Sequence, residues 1–142
     1  MVDRERILAK LGDLEGYLRE LREVVPSSLE EYLEKAEKRR ACERLLQIAI
    51  ESLIDICGLF VTGLRLGLPG EEEDLFEMLE RKGTLSASLT GRLRKMRGFR
   101  NLLVHEYGRV DDRLVYEAAR SRLPDFEEFR QAILDALRQD SA

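Results

Sequence analysis

One histidine, two cysteines and three prolines are all that a chain of 142 residues supplies of three informative residue types. Chemistry that needs two imidazoles must therefore borrow the second from another chain. Cys42 and Cys57 fall 15 residues apart inside one predicted helix, about 22 Å along its axis at 1.5 Å per residue, too far for a disulfide. Both read as small core residues, and no pairing of cysteines with histidines suits zinc. With little proline, ten glycines and 37% charged residues, the composition disfavours all-β folds and disordered tails and favours helices with solvated faces. Long apolar runs are also missing. The longest stretches without a charge, Ile56 to Leu64 and Gly83 to Gly91, have nine residues each, against roughly 18 for a membrane span. The opening MVDRERILAK is charged instead of apolar, unlike a secretory signal. The expectation is one cytoplasmic domain over residues 1–142 with no membrane contact.

What is present is helical periodicity. Ile7, Leu11, Leu14, Leu18 and Leu21 recur at spacings of four and three, behind Asp3 as N-cap and ahead of Pro26. Ser28 and Glu31 form a capping-box pattern opening a second helix through Tyr32, Leu33 and Ala36. It is expected to run, kinked near Glu37, into the most apolar stretch, Ala41 to Phe60, which is hydrophobic over most of its circumference. Gly63, Gly67, Pro69 and Gly70 end that stretch, and the acidic run Glu71 to Asp74 starts the next helix, where negative charge suits the helix dipole. Gly83 closes it. A long helix follows from Ser86 to about His105, then one capped by Asp111 or Asp112, then a last one with Pro124 in its first turn. The fold class is all-α, a bundle of five to six helices.

Charge is distributed unevenly. Between Arg81 and His105 stand seven bases and no acid, so this segment is +7 inside a chain whose formal net charge is −4. That points to a local anion site within an acidic protein, or to a solvated face balanced by acids elsewhere. At 100° per residue Arg94, Gly98, Asn101 and His105 share one stripe, opposite the apolar stripe of Leu89, Leu93, Met96, Phe99 and Leu103. His105 therefore faces solvent or a partner, and Gly98, costing about 1 kcal/mol in mid-helix, suits close approach by another backbone. Symmetric pairing of this face would bring two His105 side chains together. Arg100 lies about 140° from His105, nearer the apolar stripe, and needs acidic company. Glu51 and Asp55, four apart on the apolar helix, are its natural partners, unless they form an ion pair that merely orders the bundle.

The string RNLLVHEYG, Arg100 to Gly108, resembles the Arg-x4-His-x-Tyr signature of HepT-like toxins in the HEPN superfamily, and Asn101 after the arginine fits the HEPN pattern. The resemblance extends to Glu43–Gly58, similar to the family's central helix, and to the segment VDDRLVYE that follows the motif. It covers most of the chain beyond the first 25 residues. The one departure is Cys57-Gly58, where relatives often carry more polar residues, at the end of the central helix. The resemblance implies an all-α homodimer acting as a metal-independent endoribonuclease, encoded with a nucleotidyltransferase antitoxin of the MNT type. It implies catalysis by Arg100 and His105 of both protomers in a composite cleft, with Asn101, Glu51, Asp55 and Arg97 in support. Tyr107 is implied as the site where the antitoxin attaches AMP. No metal or cofactor is called for.

The chemistry agrees with these residue types. Cutting RNA without metal takes a base for the 2′-OH, a cation for charge building on phosphate and an acid for the leaving 5′-oxygen. Histidine, with an ordinary pKa of about 6.5, does either proton task, and the arginine fork matches phosphate oxygens. Products would be a 2′,3′-cyclic phosphate and a 5′-hydroxyl, and DNA would resist. Two other readings compete: a non-catalytic HEPN partner of a nucleotidyltransferase that binds a nucleotide or its substrate, and a structural dimerisation bundle. In the same spirit, Tyr107 could simply pack its ring at a helix end. The acidic surface around Glu71 to Asp74 is expected to be left for a protein partner.

Overall fold

A computed structural model describes residues 1–105 and 110–141, among which there are seven helices and no strand. They are α1 (Arg4–Val24), α2 (Leu29–Glu34), α3 (Ala36–Gly63), α4 (Glu72–Lys82), α5 (Ala87–His105), α6 (Asp112–Ser121) and α7 (Leu123–Ser141). Most boundaries have a local cause. The Asp3 carboxylate accepts from the Arg6 amide at 3.2 Å, and the Ser28 hydroxyl from the Glu31 amide at 3.2 Å. Asp111 accepts from the Arg113 amide at 2.9 Å, capping α6. These are the side chains that satisfy orphan amides at helix starts. Gly83 ends α4 in the left-handed region at φ 89°, where a Cβ would be strained.

The expected continuation of α2 into α3 does not occur. The chain breaks at Lys35, which is extended (φ −110°, ψ 98°), so the described residues form seven helices instead of five to six. Arg39 supplies the reason: its guanidinium donates to the carbonyls of Tyr32 (3.4 Å) and Leu33, replacing amides that a continuing helix would have offered. Tyr32, fully buried in the short α2, packs its ring 5.2 Å from that of Tyr116, and the Tyr116 hydroxyl donates to the Pro26 carbonyl at 3.0 Å. This ties α6 to the turn before α2.

Helix α3 is the hub, packing against α1, α2, α4, α5 and α6. Leu46, Ala49, Leu53, Ile56, Cys57 and Phe60 are buried along it, which is why its sequence is apolar nearly all round. By length and a mean hydropathy of 1.8 over an 18-residue window this helix is apolar enough to cross a membrane, although no uncharged run in it exceeds nine residues. Glu51 and Asp55 interrupt the run without lowering the mean enough. More than half of that window is buried inside the bundle. The helix also passes Cys57 and Gly58 and ends at Gly63, where a Cβ would stand 2.5 Å from the Val2 Cα.

Both thiols are completely buried. Burial pushes the Cys42 thiol up to about 11 and raises that of Cys57 further, so neither carries appreciable thiolate near neutrality. Iodoacetamide at pH 8 is expected to leave both unmodified in the folded protein and to label both in denaturant, read by mass. Rapid labelling of native protein would contradict the burial.

Candidate active site on helix α5

Helix α5 starts where the Ser86 hydroxyl accepts from the Leu89 amide at 3.1 Å and the Thr90 hydroxyl donates to the Ser86 carbonyl at 2.8 Å. Leu89, Leu93 and Leu103 are buried, with Met96 and Phe99 half-buried against the core. The opposite stripe emerges as helical arithmetic requires. Arg94, Gly98 and His105 are exposed and Asn101 is half-buried. His105 is the last described residue of α5. A Cβ on Gly98 would meet nothing within 4 Å among the described residues, so no packing between them explains that glycine.

Arg100 turns inward, between α3 and α4, and its side chain is only 12% exposed. All three guanidinium nitrogens are engaged. Nε donates to the Asn101 side-chain oxygen at 2.9 Å, Nη1 lies 3.5 Å from Glu51, and Nη2 is hydrogen-bonded to Glu72. Glu51 also accepts from Gln47 at 3.4 Å. Arg97, one turn earlier, places Nε 3.1 Å from the same Glu72 oxygen and Nη1 3.4 Å from Glu73. The result is a chain of alternating charge, Glu51, Arg100, Glu72, Arg97 and Glu73, across three helices.

One expectation is corrected by this geometry. Asp55 is not a partner of Arg100: it is exposed, and Lys10 of α1 pairs with it at 3.3 Å. At the acidic start of α4, Glu72 and Glu73 pair with Arg97 and Arg100, and Asp74 accepts from the Gly70 and Glu71 amides at 2.9 Å each. Glu72 was visible in the sequence only as part of a helix-starting acidic run. Tyr107 lies outside the described residues.

The excess of base on residues 81–105 is largely balanced by acids from elsewhere. Arg81 pairs with Glu77 at 2.6 Å, and Arg92 pairs with Asp125 and Glu128 of α7 at 2.7 Å each. Its hydrogen bonds to Glu128 and then to Asp125 hold the Arg92 guanidinium above its usual range. Arg94 and Lys95 are exposed and form no ion pair with another described residue. Among the described residues no three His, Cys, Asp or Glu side chains gather closely enough to hold a metal ion. A polar groove of about 710 Å³ runs between α1, α3 and α4, with Glu72, Asp55, Arg6 and Lys10 on its walls.

Comparison with known proteins places this architecture. The family model described as "Ribonuclease HepT-like" matches residues 14–133. The chain is 33% identical over 88 residues to the mRNA nuclease HepT of Shewanella oneidensis, covering 62% of this chain and 66% of that protein. It is 32% identical over 102 residues to the tRNA nuclease HepT of Aphanizomenon flos-aquae, covering 72% and 69%. The matched segments thus span about two thirds of these curated relatives. In three dimensions it superposes on the tri-AMPylated HEPN toxin of S. oneidensis, solved in complex with its MNT antitoxin, with a TM-score of 0.86 and 25% identity over 95% of this chain and 99% of that one. The all-α bundle is that of the HEPN toxins, and the chain belongs to the HepT-like ribonuclease family.

Proposed function

We propose that this protein is the toxin of a HEPN/MNT pair, a metal-independent endoribonuclease that cuts RNA through attack by the 2′-OH. The observation that carries the reading is the pairing, on one helix, of an inward guanidinium braced on three nitrogens at Arg100 and an outward imidazole at His105. A braced arginine suits charge that develops on a phosphate, because its dipoles need not reorganise during the reaction. Asn101 contributes by fixing Nε, and Glu51 and Arg97 hold the remaining charge in place.

The chemistry balances with side chains alone. A base removes the 2′-OH proton, the 2′-oxygen bonds to phosphorus, and the P–O5′ bond breaks as an acid protonates the leaving oxygen. One histidine per chain supplies both groups only in a homodimer. The outward face of α5 suits such pairing: Leu102 and Val104 are 48% and 40% exposed on either flank of the His105 stripe, and Gly98 between them leaves room for a second helix. The protein would work in the cytoplasm with an MNT-type nucleotidyltransferase as antitoxin. Tyr107, two residues past His105, is the residue to which AMP would be added; a bulky anion there would compete with RNA for the arginine. The S. oneidensis toxin, which is tri-AMPylated in complex with its MNT antitoxin, supports this reading.

A second reading, a non-catalytic HEPN partner that holds a nucleotide for the transferase, gains weight from one observation. Arg100 is buried beneath carboxylates instead of opening onto solvent. The two readings separate on cleavage. Purified protein in excess chelator is expected to cut cellular RNA but not DNA, leaving 2′,3′-cyclic phosphate ends. Its specific activity should fall on dilution below the dimer dissociation constant. Inert protein that is dimeric and carries no adduct on Tyr107 would favour the nucleotide-binding partner, and an active strict monomer would remove the composite site.

A further inference from the structure

The Arg97–Arg100 cluster carries three carboxylates, Glu51, Glu72 and Glu73, against two guanidinium groups. As it stands the cluster is negative and repels a phosphate. Its layering matters more than its sum. Glu72 is 39% exposed, whereas the two arginine side chains it bridges are 22% and 12% exposed. An anion arriving from solvent meets the carboxylate before either guanidinium. One oxygen of Glu72 takes hydrogen bonds from both arginines, which is the arrangement a phosphate oxygen would adopt on the same pair.

Glu72 is also built to leave. It is the first residue of α4, and the backbone there is held by Asp74 through the Gly70 and Glu71 amides, so the Glu72 side chain can rotate without disturbing the helix start. The groove it borders also carries Arg6 and the Asp55-paired Lys10 on its walls. Glu51 and Asn101 would keep Arg100 oriented after such a departure.

We propose that Glu72 occupies the seat on Arg97 and Arg100 that an RNA phosphate takes, so that substrate enters by exchanging with an internal carboxylate. Glu72 is then a positioning residue that sets the affinity threshold for RNA, and the inference rests on the nuclease reading above only for the identity of the incoming anion. Apparent affinity falls in proportion to the fraction of time a site is open; a site open about a tenth of the time corresponds to a tenfold loss.

The test measures binding of a short 2′-O-methyl oligoribonucleotide, whose blocked 2′-oxygen prevents cleavage, beside single-turnover cleavage of the same sequence as ordinary RNA. Glu72→Gln is expected to tighten binding about tenfold, and single-turnover cleavage below saturation should rise by the same factor. Glu73→Gln removes the same charge from the same turn but touches only Arg97, and is expected to change binding less than threefold. Unchanged or weaker binding by Glu72→Gln would overturn the proposal. So would an equal effect of Glu73→Gln, which would mark bulk electrostatics, or a saturated rate that drops while binding stays constant. Should Glu72→Gln not fold, the carbon resonance of the Glu72 carboxylate in labelled wild-type protein is expected to shift as the oligonucleotide is added, and its constancy at saturation would equally overturn the exchange. Wild type that binds the oligonucleotide in exchange with Glu72 but cuts no RNA would remove the nuclease reading and leave this one standing. No binding by any variant would remove the exchange itself.

Discussion

His105→Ala is expected to lower single-turnover RNA cleavage about a thousandfold, the middle of the range for removing a group that transfers protons in the transition state. In a homodimer the substitution deletes both imidazoles at once, so base and acid are lost together. Stability should be nearly unaffected. His105 is exposed and forms no hydrogen bond or ion pair with another described residue, and substitutions at such positions seldom matter to folding. A melting temperature within about 2 °C of wild type, with RNA binding retained and cleavage gone, would separate chemistry from structure. Cleavage within tenfold of wild type would show that some other group moves the protons and would end the case for a histidine-dependent ribonuclease.

The outward orientation of His105 was legible in the sequence because it depends on helical phase alone: eleven residues from Arg94 return to nearly the same angle. The same holds for the helix starts at Asp3, Ser28 and Asp111, where a side chain three residues or fewer from its partner decides the matter. Glu51 was also legible as an acid on the apolar helix in need of a cation, and it does lie beside Arg100. Asp55 fell to the same reasoning and failed it. The four-residue spacing puts both acids on one face, but a turn further along α3 the nearest cation is Lys10 of α1.

Glu72 shows why the remainder of the site could not be read. It is 28 residues from Arg100, and its acidic neighbours gave it a complete local explanation as part of a helix start. Only the packing of α4 against both α3 and α5 gives it a second role. The break at Lys35 is of the same kind, since Arg39 reaches back over a turn to take carbonyls that periodicity assigned to a continuous helix. Local signals fixed where helices begin; which charges meet depended on how the helices pack.

Arg100→Lys tests whether the site needs a positive charge or a fork. Lysine keeps the charge but has one ammonium group to set against partners on three sides, Asn101 at Nε, Glu51 at Nη1 and Glu72 at Nη2. It can satisfy one carboxylate well and cannot present two parallel donors to a phosphate. Cleavage is expected to fall about a hundredfold, close to the loss seen when a single oxyanion donor is removed. Breaking a fully buried ion pair costs about 3–5 kcal/mol, but Glu51 and Glu72 are 37% and 39% exposed, so water can solvate whichever carboxylate lysine abandons. The stability cost is therefore expected near 1 kcal/mol, about 2–4 °C in melting temperature for a domain of this size. Arg97→Lys provides the contrast, because Arg97 lies two turns from His105 and has no bond to Asn101; its loss in cleavage should be nearer tenfold. Equal losses at the two positions would mean that both arginines merely supply field. Near wild-type cleavage by Arg100→Lys would mean that the braced geometry of the guanidinium is a feature of folding and not of the reaction.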